Sequence, residues 1–366
     1  MKIPGWLGAI ARRSSFLLLA ALSCWGMLAG AASAKPCSSR PDDRYDISVY
    51  YYPGWHTIVG RPLAVKSPWD PILGYADKEP LLGWYKGDAT TVVAQQMEWM
   101  CDYGIDNVVF DWYYDVDHTR LEEPLETYLS LTSRQPKFSL LWANHNQATT
   151  SQEWDRIVAF WADHYLADPR FYTIDGRKVI FIFSLNKLAN DAQRDGGSLP
   201  EWLERARQTF RARGLGEVYF VGGASAGQGV LKTAAAAGVD AVSAYNFQAG
   251  PGEKVAAHGY PGLDAAYRRQ WAGLSGVGQL PLILPMTSGW DRRPWGGSSD
   301  PARDRSMATG EEFRDHLMAA RAAMDASGVR RGVICCWNEY GEGSVIEPTR
   351  EHRFEILEEV KRVFAP

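Results

Sequence analysis

The sequence predicts an α/β fold of the (β/α)₈ barrel type, and three observations lead to that prediction. Apolar runs of strand length alternate with amphipathic stretches of helical period along the chain. Eight such pairs fit between residues 45 and 366, which favours a closed barrel over an open doubly wound sheet. Several helical stretches end at a glycine before the next strand, as helix C-termini commonly do.

The predicted strands are nearly continuous in apolar residues, which is typical of parallel strands covered by helices. In chain order they read YDISVYYYP, IDNVVFDWYY, KFSLLWANHN, KVIFIFSL, EVYFVGGAS, AVSAYNF, PLILPMTSGW and GVICCWNE. The predicted helices read ATTVVAQQMEWMCDYG, LEEPLETYLSLTS, SQEWDRIVAFWADHYL, LPEWLERARQTFRARG, GVLKTAAAAG, GLDAAYRRQWAGL, EEFRDHLMAARAAMDASG and HRFEILEEVKRVF. No linker interrupts this alternation, so residues 45–366 are predicted to form one domain.

The first 34 residues are predicted to be a secretory signal peptide. Lys2, Arg12 and Arg13 give a positive start, an apolar stretch follows over residues 16–32, and Ala32-Ser33-Ala34 fits the small-residue cleavage rule. Cleavage near Ala34 predicts a secreted or periplasmic protein with a polar tail over residues 35–44. The apolar run is short for a membrane span, so no stable span is expected in the mature chain.

Charge and cysteine content narrow the possible partners. The formal net charge is −4 and no basic run occurs, which argues against nucleic acid as a partner. Cys37, Cys101, Cys335 and Cys336 remain after cleavage, and one bridge is possible in an oxidising compartment. Adjacent cysteines on a strand point to opposite faces, so a bond between Cys335 and Cys336 is not expected. The pairing is otherwise left open, and no Cys/His spacing indicates zinc.

A barrel of this type carries its functional residues where the C-terminal ends of the strands meet. Those ends are rich in aromatic rings, amides and carboxylates, which together suit the faces and hydroxyls of sugars. The predicted partner is therefore an oligo- or polysaccharide. The predicted binding residues are Tyr52, Trp55, His56, Asp111, Trp112, Tyr114, Trp142, Asn144, His145, Asn146, Tyr245, Asn246, Trp290, Asp291, Trp337, Asn338 and Tyr340.

Glu339 and Glu342 are the predicted catalytic pair. They follow the last strand three residues apart, a spacing that can place both carboxyls on one side of a turn. Gly341 and Gly343 permit a tight backbone there. Cleavage of a glycosidic bond needs two such acids, one to donate a proton and the other to act as base or nucleophile.

Two other motifs suggest different chemistry. The run from Gly223 to Gly227 matches the nucleophile elbow of esterases, with Ser225 as nucleophile and His316 or His352 downstream. The run from Asp115 to His118 could be read as a metal loop, but it lacks further ligands at useful spacing, so no metal is predicted.

The motifs together resemble the glycoside hydrolase family 99-like proteins, which include endo-α-mannosidases and a WbsX-like branch often labelled glycosyltransferase. WNEYGEGSVIEPT is similar to the family signature W-N-E-x-x-E-G-x-x-I-E-P. YYYPGWH, DWYYDVDHTRLEEPLETYL, LLWANHN and SGWDRRPWG resemble, in the same order, further family patches near strands 1, 2, 3 and 7. These five patches span most of residues 45–366.

The resemblance implies a (β/α)₈ barrel, retaining chemistry on α-linked sugars and no cofactor. By motif position, Glu339 matches the carboxylate that deprotonates the substrate 2-hydroxyl, which then forms a 1,2-anhydro sugar. Glu342 matches the general acid, whose pKa has to be raised towards the working pH. Two departures leave the sugar open: Tyr340-Gly341 stands where the mannosidases carry Trp-His, and His145 replaces a family glutamate.

The sequence therefore supports a secreted glycoside hydrolase as the first hypothesis. Glycosyl transfer is the second; secretion disfavours nucleotide-sugar donors, whereas transglycosylation between glycans stays open. A catalytically silent glycan-binding barrel in polysaccharide assembly is the third, and the Ser225 esterase is the fourth.

Overall fold

The computed structural model describes residues 36–37, 44–55, 67–115, 118–145, 148–223, 234–246, 259–275 and 280–365. Some of the predictions fall outside these ranges: the signal peptide over residues 1–34, the binding residues His56 and Asn146, and Ser225 of the esterase-like motif. They stay predictions.

The described residues form twelve strands and eight longer helices. The strands are β1 (Asp46–Tyr51), β2 (Asn107–Asp115), β3 (His118–Arg120), β4 (Lys137–Trp142), β5 (Thr173–Ile174), β6 (Arg177–Ile182), β7 (Val218–Gly223), β8 (Ala241–Ser243), β9 (Leu284–Thr287), β10 (Arg331–Cys335), β11 (Asn338–Glu339) and β12 (Ser344–Val345). The helices are α1 (Thr90–Asp102), α2 (Glu123–Ser130), α3 (Ser151–His164), α4 (Leu185–Arg194), α5 (Leu199–Ala212), α6 (Gly259–Leu274), α7 (Gly310–Ser327) and α8 (Glu355–Phe364). Short 3₁₀ helices cover Ala76–Lys78, Arg293–Trp295 and Pro301–Arg303.

Eight parallel strands of the described chain form the barrel, in the order β8-β7-β6-β4-β2-β1-β10-β9. The two ends of this order meet at a parallel bridge between Val242 and Leu282, where the Ile283 N–H donates to the Val242 carbonyl at 3.0 Å. The predicted (β/α)₈ barrel is therefore confirmed, and the ends of β2, β8 and the segment after β10 point to the same rim.

Side chains alternate between the barrel interior and the layer between strands and helices. On β2, Val108 and Phe110 pack in the outer layer with the helices, whereas Val109 packs in the interior with Tyr50 and Val333. This alternation has a period of two, so it continues to the strand end and decides which of the rim residues can face the site.

Local sequence signals explain how the helices begin. Thr150 caps α3 with a reciprocal hydrogen-bond pair to Glu153, and Ser198 with Glu201 does the same for α5. Such capping boxes satisfy backbone N–H groups that have no partner within the helix. Helix α4 was not predicted, although Ser184 caps it and its buried Leu185, Leu188 and Ala192 follow a helical period.

The last barrel strand is shorter than predicted. The strand β10 ends at Cys335, and Glu339 lies instead in β11, which pairs antiparallel with β12. The short hairpins β2–β3 and β5–β6 were also not predicted. Two-residue strands are defined by their pairing partner and carry almost no periodic signal in the sequence.

The structure contains two disulfides, and one corrects an expectation. Cys37 bonds Cys101 at the end of α1. Cys335 bonds Cys336, contrary to the expectation that they would point to opposite faces. That expectation required both to lie in a regular strand, but β10 ends at Cys335 and a cis peptide links the two residues.

Among the described residues, none of the helices combines the length and the apolar character needed to cross a membrane.

Candidate active site

The β11–β12 hairpin carries both glutamates at the C-terminal end of the barrel. Glu339 pairs with Ser344 across the hairpin, and the turn between them holds Glu342. The Asp291 N–H donates to the Glu342 carbonyl at 2.6 Å, which ties the turn to the segment after β9. Gly343 has φ +73, and a Cβ there would lie 2.5 Å from the Asp291 nitrogen, so this position requires glycine.

Tyr245 joins two buried carboxyls at the centre of the site. Its hydroxyl lies 2.9 Å from Asp111 Oδ2 and 3.1 Å from Glu339 Oε1. A tyrosine hydroxyl has one hydrogen to donate, so both contacts are satisfied together only when one of the two carboxyls is protonated. Glu339 Oε2 and Asp111 Oδ1 are buried and have no hydrogen-bond partner among the described residues.

Burial raises the pKa values of these carboxyls. The pKa of Glu339 lies well above its usual value because of burial first, then the charges of Glu342 and Asp111, with Tyr245 acting in the opposite direction. Burial also raises the pKa of Asp111 well above its usual value. Burial raises the pKa of the half-buried Glu342 to about 7, while the charge of Arg292 lowers it. Glu342 can therefore hold and release a proton near neutral pH.

Two half-buried tyrosines complete the wall around the acids. Burial raises the hydroxyl pKa of both Tyr52 and Tyr113, and the charges of Glu339, Asp111 and Glu342 add to the effect. Tyr113 was not among the predicted binding residues. Strand alternation could have found it, because Asp111 and Tyr113 share a face of β2 while Trp112 and Tyr114 share the other.

Several predicted aromatic residues pack elsewhere. Trp112 lies in the layer between strands and helices, where its indole N–H donates to the Tyr165 hydroxyl at 3.2 Å and Tyr114 stacks on it. Trp142, Trp290 and Trp337 belong to the same buried layer. They were predicted because they lie at strand ends, but their side chains point away from the carboxyls.

Two other predicted residues, Trp55 and Tyr340, support the β11–β12 hairpin. Trp55 is buried against Trp69 with ring centroids 4.2 Å apart, and its indole N–H donates to the Asn338 carbonyl at 2.6 Å. The buried Tyr340 donates to Glu347 Oε2 at 2.8 Å. These contacts make Trp55 and Tyr340 positioning residues of the hairpin and leave little of either ring for a sugar.

The predicted amides and Asp291 also have protein partners. Asn144 bonds both backbone groups of Ser184, Asn246 bonds Ser344 and Tyr267, and Asn338 Oδ1 accepts from the Tyr52 N–H. Asp291 is buried and accepts from the Arg293 guanidinium at 2.6 and 2.7 Å. All four residues therefore hold loops in place around the rim.

His145 lies exposed on the rim, beside an open cleft. Its ring centroid is 6.2 Å from Tyr113 and 5.0 Å from Phe183, and burial lowers its pKa. An open cleft lies next to it, between the ends of β2 and β4 and helix α3, and Tyr113, Tyr114, Trp142 and Asn144 line it. None of the three carboxyls lines this cleft.

The structure adds Glu347 to the residues that shape the site. This buried carboxyl accepts from Gln96 at 2.8 Å, Tyr85 at 2.7 Å and Tyr340 at 2.8 Å. Burial raises its pKa to about 7, and the three donors act against that rise. The resemblance signature contains this glutamate in I-E-P, but no sequence pattern could show that it holds the β11–β12 hairpin.

Neither alternative motif gains support within the described chain. No group of three or more His, Cys, Asp and Glu side chains placed to hold a metal occurs among the described residues. His316 is fully buried, with Nδ1 2.7 Å from Asp264 and Nε2 accepting from the Thr287 N–H at 3.2 Å. It therefore serves the packing of α7 against β9 and α6.

Known proteins share both the fold and the sequence patterns. A "glycoside hydrolase-like protein" superposes with a TM-score of 0.63 at 16% identity, covering 89% of this chain and 97% of that one. The family 99 endo-α-mannosidase of Bacteroides thetaiotaomicron, in complex with Bis-Tris-propane, gives 0.56 at 19% identity, covering 85% of this chain and 88% of that one. At these identities the likeness concerns the fold.

Similarity in sequence identifies the family of the chain, which the similarity in fold does not. The protein WxcX of Xanthomonas campestris pv. campestris, whose name describes it as uncharacterized, is 25% identical over 296 residues, which are 73% of this chain and 40% of that protein. The chain thus spans about two fifths of the length of this relative. The sequence model of the family described as "Glycosyltransferase WbsX" matches residues 75–360. The chain belongs to the WbsX family, and its fold is similar to that of the family 99 endo-α-mannosidase.

Proposed function

We propose that this protein is a glycoside hydrolase that cleaves an α-linked glycan with retention of anomeric configuration. The observation that carries the proposal is a pair of glutamates on one hairpin that differ in burial. Glu339 is buried and holds one oxygen without a partner among the described residues, whereas Glu342 is half-buried with a pKa raised to about 7. Glycosidic cleavage needs one carboxylate as base and one carboxylic acid. The charge of Glu342 raises the pKa of Glu339 only while Glu342 is ionised, so a protonated Glu342 favours the ionised form of Glu339.

In the first step Glu339 Oε2 takes the proton of the substrate 2-hydroxyl. The resulting oxygen attacks the anomeric carbon, the bond from that carbon to the glycosidic oxygen breaks, and Glu342 gives its proton to the departing oxygen. The product on the enzyme is a 1,2-anhydro sugar. Glu339 is now neutral and Glu342 ionised, so the pair has exchanged one proton through the substrate.

In the second step the roles reverse. Glu342 takes a proton from water, the water oxygen attacks the anomeric carbon, and the anhydro bond to oxygen 2 breaks. Oxygen 2 regains its proton from Glu339. Two inversions at the anomeric carbon give net retention, and both glutamates return to their starting protonation states.

Transfer to a second glycan is the other candidate function, since the family description names a glycosyltransferase. The first step is identical in both cases, and only the acceptor of the second step differs. A sugar hydroxyl in place of water yields a longer glycan, with the same proton balance.

A secreted or periplasmic location is part of the proposal. The N-terminal 34 residues have the pattern of a signal peptide, and the bond between Cys37 and Cys101 is of a kind that persists in oxidising compartments. Polysaccharides of the cell exterior would then be the accessible substrates.

The test uses purified residues 35–366 with a panel of α-linked oligo- and polysaccharides in ¹⁸O-labelled water, with products read by mass spectrometry and NMR. Hydrolysis gives one ¹⁸O per cleavage and an α-anomer as first product, whereas transfer gives longer unlabelled glycans. We expect Glu342→Gln and Glu339→Gln each to lower kcat by about 100-fold or more. The exposed Glu351 gives a matched control, because we expect Glu351→Gln to leave kcat unchanged. Binding without cleavage by the parent would instead support a silent glycan-binding barrel.

A further inference from the structure

The segment after β9 covers the turn that carries Glu342. Besides the bond from the Asp291 N–H to the Glu342 carbonyl at 2.6 Å, the indole of Trp295 lies directly against the turn. A Cβ built on Gly341 would lie 2.0 Å from Trp295 Cε2, so only a glycine at this position leaves room for the ring. Residues 291–295 therefore form one side of the site, next to Glu342.

Trp295 offers a flat apolar surface at this place. The ring is half-buried, its centroid lies 6.0 Å from Tyr52 in an edge-on arrangement, and it is near-parallel to the buried Trp55 at 6.4 Å. Burial and then the charges of Glu339, Asp111 and Glu342 raise the pKa of the Tyr52 hydroxyl. The indole is thus a partly exposed ring beside the turn that carries Glu342, and a ring of this kind can pack on the apolar face of a sugar.

Arg292 supplies a positive charge beside that surface. Its side chain is exposed and forms neither a hydrogen bond nor an ion pair with the described residues, whereas the next residue, Arg293, is held by Asp291. Of the described groups whose charges act on Glu339 or Glu342, Arg292 is the only cation; the others, Asp111 and the glutamates themselves, are acids.

We propose that Trp295 and Arg292 form a subsite for a hexuronic acid on the leaving-group side of Glu342. The sugar ring packs on the indole, and its carboxylate pairs with the guanidinium of Arg292, which suits carboxylates by its planar, two-pronged geometry. The carboxyl cluster repels an acidic sugar, and the positive charge of Arg292 offsets that repulsion beside Glu342. The assignment of the leaving-group side rests on the proposed role of Glu342 as general acid.

The test measures binding, so that it does not depend on turnover. The protein is the Glu339→Gln variant of residues 35–366, which keeps Glu342 beside Arg292. The ligands are α-linked oligosaccharides with a hexuronic acid at the reducing side, each paired with its carboxyl-reduced neutral form, and calorimetry gives the Kd of each. We expect the acidic member to bind about tenfold more tightly.

Three further variants in the same background separate the two contacts. Arg292→Gln should remove the preference for the acidic member, and Trp295→Ala should weaken both members alike by about tenfold. Arg305→Gln, at an exposed arginine of the same connection, is the matched control and should change neither.

Equal affinity for both members of each pair, a preference that survives Arg292→Gln, or no binding of any acidic member would each overturn the subsite. Cleavage of glycans by the parent without acid preference would overturn the subsite and keep the hydrolase. Acid-selective binding with no cleavage would keep the subsite and overturn the hydrolase.

Discussion

At the scale of single residues, Tyr245 is the side chain that connects the acids of the site. Its hydroxyl contacts both Asp111 and Glu339, and each contact lowers the pKa of the carboxyl concerned. Glu339 has to be ionised to accept the proton of the 2-hydroxyl. Tyr245 therefore sets the lower pH at which the proposed reaction can begin.

Replacing Tyr245 by phenylalanine tests this role. The loss of the hydroxyl raises the pKa of Glu339, so a smaller fraction of the enzyme carries the ionised base at a given pH. We expect kcat/KM to fall by about 10- to 100-fold and the acidic limb of its pH profile to move to higher pH. The profile of kcat/KM against pH, measured on the substrate found in the panel, checks both.

Tyr219 supplies the control for that variant. It lies at the start of β7, at the opposite end of the barrel, with the Arg177 guanidinium 4.5 Å from its ring centroid. Tyr219→Phe should leave the acidic limb where it is. An unchanged limb in Tyr245→Phe would show that the hydroxyl does not act on the base.

The residues of the site were predictable only in part. The two glutamates, Asp111 and Tyr245 stand at strand ends in a barrel, which the sequence pattern indicates. Trp112 follows Asp111 in the sequence, but strand alternation turns its side chain outward, into the layer with the helices. The roles of Asn144 and Glu347 depend on partners distant in sequence, Ser184 and Gln96, and such partners cannot be read from one chain.

At the scale of elements, the β11–β12 hairpin is a short structure that depends on contacts with the rest of the chain. The strands β11 and β12 have two residues each, and a hairpin of this size is only marginally stable alone. Glu347, Trp55, Asp291 and Trp295 contact the hairpin or its turn and hold it in place. The barrel strands, by contrast, were predictable because each buries an apolar run, and α4 escaped prediction because its polar face outweighs its few apolar residues.

The contact between Gly341 and Trp295 can be tested by a double-mutant cycle. Gly341→Ala puts a methyl group where the indole lies, so we expect a loss of about 1–3 kcal/mol in the free energy of unfolding from overpacking. In the Trp295→Ala background the same change should cost much less, because the space is then open. Urea unfolding of the four proteins gives the coupling energy. A cost that is equal in both backgrounds would mean that the indole does not lie against the turn.

At the scale of the whole molecule, buried acids make stability depend on pH. Glu347 has a pKa of about 7 in the folded chain against an ordinary value of 4.5. Between these values the unfolded chain has released the proton that the folded chain keeps, so the free energy of unfolding falls as pH rises. The shift corresponds to a loss of up to about 3 kcal/mol, complete above pH 7.

Other groups act in the same direction, outside this window or against it. The pKa of Glu342, raised to about 7, and the raised pKa of Glu339 lower stability as pH rises, as Glu347 does. The lowered pKa values of Asp168, Asp264 and Asp291 stabilise the fold above their unfolded values and matter only as the pH falls below about 4. The lowered pKa of the buried His316 works in the opposite direction, since stability rises with pH until its ordinary value of 6.5 is passed. The dependence of the unfolding free energy on pH is therefore a sum of opposing contributions. The contribution of Glu347 is obtained only as the difference between the parent and a Glu347 variant.

The variant Glu347→Gln removes the proton that is held in the folded chain. We expect the difference in unfolding free energy between parent and variant to shrink, as pH rises from 5 to 8, by up to about 3 kcal/mol, because only the parent has to ionise a buried acid. Urea midpoints at four pH values measure it, and Glu351→Gln, at an exposed position, serves as the matched control. A difference that stays constant over this range would mean that Glu347 is already ionised at pH 5, and that the hairpin rests on a buried carboxylate held by its three donors.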